Sequence, residues 1–367
     1  MNPSITNVSN DELGFKFTLS NINVSLANAI RRTMLSDIPT LAFYTETHEG
    51  NECTIHENTT RLHNEILKHR LSCIPIHMTD HEVLPGNYIL DVDVVNDTDT
   101  TRIVTSEDFR IRNKTTNNYL TANEIIKIFP PCPKTNMYID FARLRPKIGN
   151  TIPGEKLKLT SEFSVRTAKD NSMFNVVSKC AYGNTVDLAK AKEVWEEHEN
   201  TIRSEGLTEE ELEIQKRNFY LLDANRHFKP DSFDFIVQSV GVYENNDILK
   251  KSCKILHDRL TDMIQSIDSG MVLVKTSETS MDYSYDIVLE NEDYTIGKIL
   301  EYILYEKFFV EQNTLTFCGF KKFHPHDDNS IIRVAYREVT DKLMVLQHLR
   351  EVCILATDVF TATYKLF

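Results

Sequence analysis

A short stretch near the C-terminus contains two histidines and two aspartates, which are candidate metal ligands because they lie close together in the sequence. His324 and His326 are two residues apart and are followed by Asp327 and Asp328. Imidazole nitrogens and carboxylate oxygens are common zinc ligands, so the stretch is compatible with a metal-dependent hydrolase. The same residues around Pro325 are also typical of a polar hairpin loop, and we favour that interpretation.

Sequence motifs of the common enzyme classes are absent. There is no GxSxG, GxxxxGK[ST], HExxH or GxGxxG pattern, and 11 glycines leave little material for phosphate-binding loops. The seven cysteines are scattered and never spaced as CxxC, which argues against a disulfide framework or a compact zinc site. We therefore expect no catalytic residue, no cofactor and no metal, and we expect reduced, mostly buried thiols.

The charge balance disfavours a nucleic-acid partner, and the hydropathy pattern disfavours a membrane span. The chain has 367 residues, of which 54 are acidic and 41 basic, and its net charge of −13 should repel a phosphate backbone. It has no run of about 18 apolar residues, and its first ten residues lack the apolar core of a signal peptide. We expect a folded intracellular protein that contacts neither nucleic acid nor membrane directly.

A strand, a turn and a helix occur twice in the sequence with the same spacing. Residues 15–19 alternate like a half-buried strand, and a helix should follow with Ser25 as N-cap and Pro39 beyond its end. Residues 285–289 and a helix capped by Thr295 repeat this pattern. Superposed without a gap, the apolar positions coincide: Phe17 with Ile287, Leu19 with Leu289, Leu26 with Ile296, Ile30 with Leu300 and Met34 with Leu304.

Each of these passages is followed later in the chain by a strand and a long amphipathic helix. The apolar seams of the two helices are Leu249, Cys253, Leu256, Leu260 and Met263 in the first, and Leu346, Leu349, Cys353 and Phe360 in the second. An isolated half would expose its seam, so we expect the seams to pack together with Leu26, Ile30, Ile296 and Leu300 as an intramolecular pseudo-dimer. Periodicity alone leaves open the alternative of two independent α+β domains.

The pattern of elements predicts an α+β fold with three parts. The first dimerisation half would comprise residues 1–48 and 228–272, and the second residues 278–367. A β-rich insert domain would occupy residues 49–227, with candidate strands at 88–95, 102–105, 137–141, 157–165 and 174–177. Its charged segment, residues 188–219, is expected to form one or two solvated helices.

Several segments resemble the alpha-like family of RNA polymerase subunits, which includes bacterial alpha, the third subunit of RNA polymerase II and its archaeal D-like counterpart. Residues 25–40, SLANAIRRTMLSDIPT, resemble the family's first dimerisation helix, and residues 64–76 resemble its helix-into-proline segment. Residues 233–241 are similar to the strand that re-enters the dimerisation fold. Residues 292–300, EDYTIGKIL, resemble the signature of the small partner, which is the eleventh subunit or its archaeal L-like counterpart, although Lys298 stands where that family usually has Asn.

The resemblance implies a non-catalytic assembly platform that fuses both halves of the alpha-like heterodimer, as large DNA viruses with their own polymerases encode. Its implied partners are the second-largest and largest polymerase subunits and small zinc-containing subunits, in a heteromultimer rather than a homodimer. The insert lacks the clustered cysteines with which many relatives bind zinc or an iron–sulfur cluster. The implied location is the virion and host cytoplasm for a viral protein, and otherwise the nucleus.

Five polar residues are the candidates for contacts with a large subunit. Arg31 and Arg32 occupy adjacent helix positions about 100° apart, so at least one can reach carboxylates outside the partner half. A solvated helix face is the alternative. Asn28 could bind at the same surface or be an ordinary exposed residue. His69 and Arg70 either contact a neighbour or cover the insert junction, and we slightly favour the second interpretation.

Two rival functions use the same elements. One is a free-standing metal-dependent hydrolase with His324, His326 and Asp327 as ligands, which requires stoichiometric bound metal. The other is a homo-oligomeric adaptor outside transcription, which requires an obligate homodimer joined through the long helices.

Overall fold

The computed structural model describes residues 1–11, 14–149, 151–204, 208–278 and 281–367. They divide into a first compact unit, residues 1–34, 179–238 and 249–367, and a second, residues 35–178 and 239–248. The strands are β1 (Ser4–Asp11), β2 (Gly14–Ser20), β3 (Thr40–Ala42), β4 (Cys53–Asn58), β5 (Tyr88–Val95), β6 (Arg102–Thr105), β7 (Arg110–Asn113), β8 (Asp140–Leu144), β9 (Lys156–Glu162), β10 (Ser164–Arg166), β11 (Val177–Val186), β12 (Phe228–Ser239), β13 (Val274–Thr276), β14 (Ser284–Leu289), β15 (Leu315–Lys321) and β16 (Ser330–Tyr336). The α-helices are α1 (Val24–Ser36), α2 (Asn64–Ser72), α3 (Ala122–Ile128), α4 (Leu188–Ser204), α5 (Glu209–Leu221), α6 (Asn245–Asp268), α7 (Tyr294–Leu304) and α8 (Lys342–Leu366).

Two four-stranded sheets in the first unit share one design. Their strand orders are β1-β2-β12-β11 and β13-β14-β16-β15. The central antiparallel pairs are β2 with β12 and β14 with β16. In each pair, the first strand precedes the shorter helix and the second strand precedes the longer helix. Along the chain, β13-β14-α7-β15-β16-α8 repeats β1-β2-α1-β11-β12-α6. The sequence repeat therefore extends to complete sheets with two helices each.

The helix caps lie two residues earlier than predicted in both passages. Asn23 Oδ1 accepts a hydrogen bond from Ser25 N at 2.8 Å, at the start of α1. Asp293 caps α7, and its carboxylate accepts from Thr295 N at 2.8 Å. The prediction of Ser25 and Thr295 as caps was wrong, because these residues supply the N–H donor and the acceptor belongs to the residue two positions before.

Most of the predicted seam residues are buried. The buried members are Leu26, Ile30, Leu249, Cys253, Leu256, Leu260, Ile296, Leu300, Leu349, Cys353 and Phe360. Met263 and Leu346 are only half-buried, while α8 also buries Val345 and Val352. The buried stripe on α8 is thus wider than a two-position seam, as expected for a helix packed in a globular core.

The last helix, α8, contacts elements of the first sheet and its long helix. The ring of Phe367 packs edge-on against Phe17, with centroids 5.1 Å apart, and against Phe15 at 6.4 Å. Arg350 Nε on α8 also donates to Asp268 Oδ1 at the end of α6, at 2.7 Å. Residues more than 80 positions apart in the chain are therefore joined within the first unit.

The charged segment predicted at residues 188–219 forms the helices α4 and α5, and its residues 205–207 lie outside the described ranges. Trp195 is buried on α4 and packs against Phe219 on α5, with ring centroids 5.4 Å apart. The two helices thus share a small apolar core in addition to their solvated faces. Across the described ranges, no helix is both long and apolar enough to cross a membrane.

The second unit is built from the sheet β4-β9-β5-β7 and the strand pairs β6-β8 and β3-β10. Its core includes Phe43, Phe109 and Phe141, all fully buried. The strands predicted at residues 88–95 and 102–105 have these bounds in the structure, whereas the strand predicted at 137–141 begins at Asp140. β11 falls in the range expected for the insert, yet it is hydrogen-bonded next to β12 in the first sheet.

Candidate functional site

The two adjacent arginines of α1 have different surroundings. Arg32 reaches the first turn of α7, where Nη2 donates to Asp293 Oδ2 at 2.8 Å and Nε donates to Thr295 Oγ1 at 2.9 Å. Burial raises the pKa of Asp293, but hydrogen bonds from Thr295 and the charge of Arg32 outweigh it and lower this pKa below its usual value. Arg32 therefore belongs to an internal contact between α1 and α7.

Arg31 turns away from that contact. Its Nε donates to Asn28 Oδ1, one turn earlier on the same helix, at 3.1 Å. Burial raises the pKa of Tyr182 on β11 and raises that of Cys180, also on β11, to about 12. The positive charge of Arg31 opposes this increase at both residues. As the helical geometry predicts, the two arginines point in different directions.

A second contact between α1 and α7 mirrors the Arg32 contact. Tyr302 on α7 lies beside Asn23, the cap of α1. Burial and the charge of Glu306 raise the pKa of Tyr302, and the interaction with Asn23 opposes this increase. In the register that superposes Phe17 on Ile287, a shift of 270 residues, Tyr302 corresponds to Arg32 and Asp293 corresponds to Asn23. Each helix thus places the same position beside the cap of the other.

The outer side of these helices forms a groove of about 620 Å³. It is lined by Ser25 and Asn28 of α1, Lys298 and Tyr305 near α7, Tyr182 of β11 and Cys318 of β15, and we call it the α1–α7 groove. Asn28 and Lys298 occupy corresponding positions in the 270-residue register. Lys298 Nζ is paired with Glu301, three residues later on α7. The groove therefore presents matched positions of both helices side by side.

The remaining interface candidates, His69 and Arg70, lie on α2 of the second unit. Arg70 Nε donates to the carbonyl oxygen of Phe141 at 2.7 Å, and its Nη2 donates to that of Asp140 at 2.6 Å. These bonds attach α2 to β8. Both residues are exposed.

The histidine–aspartate stretch forms the loop between β15 and β16. His324 N donates to Asp327 Oδ2 at 2.9 Å, and His326 N donates to His324 Nδ1 at 3.1 Å. Two potential ligand atoms thus accept backbone hydrogen bonds within the loop. In the described part of the chain, no three His, Cys, Asp or Glu side chains are grouped to hold a metal ion.

The seam cysteines are buried thiols. Burial raises the pKa of both Cys253 and Cys353 to about 12, so both are protonated at neutral pH. A protonated, buried thiol is a poor nucleophile and packs as a small apolar side chain.

Sequence reasoning did not identify Tyr182, Tyr302 and Tyr305. The signal for Tyr302 was present, because the repeat that aligns Leu26 with Ile296 also aligns it with Arg32. Tyr182 and Tyr305 carried no comparable signal, since their place in the groove depends on how β11 and α7 pack.

Comparisons with known proteins agree with these observations. A family model described as the RNA polymerase Rpb3/Rpb11 dimerisation domain matches residues 16–260. The second strand–helix passage, β14 and α7, lies beyond the matched residues.

Individual relatives match different lengths of the chain. "DNA-directed RNA polymerase subunit Rpo3" of Pyrococcus furiosus is 24% identical over 278 residues, which cover 70% of this chain and 95% of that protein. The human "DNA-directed RNA polymerases I and III subunit RPAC1" is 37% identical over 67 residues, 18% of this chain and 17% of the relative. A "Conjugation stage-specific protein" of Tetrahymena thermophila is 31% identical over 125 residues, and this match spans 34% of each protein. The family resemblance in the sequence is confirmed, and the chain belongs to the Rpb3/Rpb11 family of alpha-like RNA polymerase subunits.

Proposed function

We propose that this chain is a non-catalytic assembly subunit of a multisubunit DNA-dependent RNA polymerase. The observation that carries the proposal is the family match over residues 16–260. The names of the archaeal and human relatives, which are polymerase subunits, support it. They favour this function over the hydrolase and the homo-oligomeric adaptor. The location that follows is intracellular, in the virion and host cytoplasm for a viral protein and otherwise in the nucleus.

The two sheet-and-helix sets of the first unit are, in this proposal, the two halves of a fused pseudo-heterodimer. Three matched features support this: the common strand order, the reciprocal cap contacts of Arg32 and Tyr302, and the left-handed residues Asn21 (φ 61°) and Asn291 (φ 56°) that precede α1 and α7. A shift of 100 residues also superposes the seam Leu249–Cys253 on Leu349–Cys353. The long helices of both halves would close a single core.

The β-rich segment after α1 is, in this proposal, an insert domain in the first half. The pairing of β11 with β12 supports ending the insert before residue 177 and assigning β11 to the first half. The second half would run from β13 to the C-terminal helix. The α4–α5 hairpin would then be an extension of the first half between two neighbouring strands.

The α1–α7 groove is the surface we propose for a large polymerase subunit. Asn28 lines it and accepts a hydrogen bond from Arg31, whose position favours a contact with carboxylates or carbonyls outside the chain. Val24 and Tyr305 add exposed apolar area at the groove. The proposed partners are the second-largest and largest subunits, with small zinc-containing subunits beside them.

Affinity purification of the tagged chain from its native cell, followed by mass spectrometry and an RNA-synthesis assay, tests the function. We expect two very large polymerase subunits and RNA-synthesis activity in the eluate. Arg31→Glu should lose both, because it places a carboxylate where a cation is proposed to meet a partner. Arg226→Glu is the matched control, since it makes the same charge change at an exposed arginine of the α5–β12 connection. Recovery of the wild-type chain alone would contradict the proposal.

A further inference from the structure

A pocket in the second unit concentrates arginines in a chain with an acidic balance. Its volume is about 440 Å³, and its charged lining consists of Arg61, Arg70, Arg143, Arg145, Asp140 and Glu155. Its apolar lining residues are Leu62, Phe141 and Ala142, of which only Leu62 is partly exposed. Four guanidinium groups therefore face two carboxylates, although the whole chain carries a net charge of −13.

Both carboxylates of this arginine pocket are already engaged. Asp140 Oδ2 accepts from Arg143 Nη2 at 3.1 Å. Glu155 is buried, and it accepts from the backbone N of Arg145 at 2.7 Å as well as from that residue's guanidinium. The two carboxylates balance only two of the four arginine charges, so a net positive charge remains in the pocket.

Arg61 and Arg70 are placed to receive an anion. Arg70 donates to the carbonyl oxygens of Asp140 and Phe141, which orient its guanidinium, and its Nη2 lies 4.0 Å from Asp140 Oδ1. Arg61 is exposed and has no hydrogen bond or ion pair within the described ranges. One oriented and one unengaged guanidinium beside an apolar wall can bind a carboxylate bidentately next to an apolar side chain.

We propose that the arginine pocket binds a short acidic segment of another protein, with one or two carboxylates on Arg61 and Arg70 and an apolar side chain against Leu62. Recognition of acidic motifs by arginine clusters is an established mode of peptide binding. The geometry favours a peptide over nucleic acid, because the site is a concave pocket that contains two carboxylates rather than an extended basic stripe. The negative charge of the whole chain also opposes the approach of a polyanion.

Fluorescence anisotropy with the full chain tests this site. The probe is a labelled, end-blocked hexapeptide, Asp-Glu-Phe-Leu-Asp-Glu, and the comparison probes are its Asn/Gln counterpart and a labelled single-stranded RNA. We expect the acidic peptide to bind, Arg61→Glu to weaken binding at least about tenfold, and Arg226→Glu to leave it unchanged. Arg61→Gln should weaken binding less than Arg61→Glu, because it removes the cation without adding repulsion.

Three outcomes would overturn the proposal. They are equal binding of the acidic and amide peptides, tighter binding of the RNA that is lost in Arg61→Glu, and no binding of the acidic peptide up to about 1 mM. Arg61 makes no bond in the described structure, so thermal melting of Arg61→Glu should match wild type, and Arg143→Gln provides a second variant in the same pocket. The assay contains no polymerase subunit, so its failure leaves the proposed assembly function untouched.

Discussion

At the scale of single residues, Arg31 and Arg32 show how neighbouring identical side chains acquire different roles. Arg32 donates two hydrogen bonds to the first turn of α7, to Asp293 and to Thr295. In the described part of the chain, the side chain of Arg31 donates only to Asn28, on its own helix. A contact that joins residues 261 positions apart stabilises the fold, while a bond within one helical turn adds little.

We expect Arg32→Ala to lower the free energy of unfolding by about 1–2 kcal/mol, because it removes two charge-assisted hydrogen bonds at a helix N-terminus. Arg31→Ala should change the free energy of unfolding by less than about 0.5 kcal/mol. Urea unfolding of both variants measures the difference. Equal destabilisation by the two variants would contradict the assignment of Arg32 to the internal contact.

The Asp293 carboxylate should make part of the stability depend on pH. The pKa of Asp293 is lowered in the folded state. Its contribution to the free energy of unfolding is therefore fully present above the unfolded-state pKa of about 3.9, and it is lost as the pH falls through the folded-state pKa. Asp293→Asn keeps an N-cap acceptor but removes the charge that meets Arg32. We expect a loss of about 1 kcal/mol at pH 7 that shrinks toward zero below pH 4.

Unfolding of wild type and Asp293→Asn across this pH range tests the prediction. Arg32→Ala serves as the matched variant, because it removes the other partner of the same ion pair. A stability difference that stays constant from pH 7 to pH 3 would show that the charge of Asp293 is not responsible.

At the scale of elements, close backbone approach makes one glycine of the second unit indispensable. A Cβ atom on Gly154, just before β9, would lie 1.7 Å from the carbonyl oxygen of Asn96. The two strands here are joined by the bond from Asn96 N to Glu155 O at 3.0 Å, and Asn96 is buried. Neither backbone can move away without breaking the β5–β9 pairing.

Gly154→Ala should therefore destabilise the protein by at least about 2 kcal/mol, since the added Cβ atom would overlap the carbonyl oxygen of Asn96. Gly183→Ala is the control, because no atom lies within 4 Å of a Cβ at that position. Differential scanning calorimetry of the two variants measures the effect. Similar melting temperatures for both would mean that the β5–β9 connection adjusts freely.

At the scale of the whole molecule, the proposed pseudo-dimer predicts that the two halves stay together without a covalent link. A protease site inserted between Met271 and Val272 lies in an exposed connection between α6 and β13. After cleavage, the fragments before and after this site should co-elute in size-exclusion chromatography at moderate salt, because the buried seams and the ion pair of Arg350 with Asp268 hold them together.

Separation of the two fragments under native conditions would instead support two independent domains. The uncut protein with the same insertion is the control, and it should elute at the same volume as the cleaved protein. Leu256→Asp provides the opposite case, because a carboxylate in the buried seam should release the fragments after cleavage.

Local sequence patterns were sufficient to predict several features of the protein. The period of apolar residues predicted both strand–helix passages and the long helices, and the run SLANAIRRTML led to the family that the comparisons confirm. The predicted bounds of β5 and β6 match those in the structure, because turn residues flank both strands closely. The adjacency of Arg31 and Arg32 also predicted that they point in different directions.

Three features depend on the folded chain and could not be predicted from local patterns. They are which arginine faces α7, which residues cap the two helices, and the place of β11 in the first sheet. Folding also brings Arg61 and Arg70 together with Arg143 and Arg145, which lie more than 70 residues later in the chain. The physical reason is that periodicity reports which face of an element is apolar, whereas strand partners and side-chain contacts depend on segments that meet only after the chain has folded.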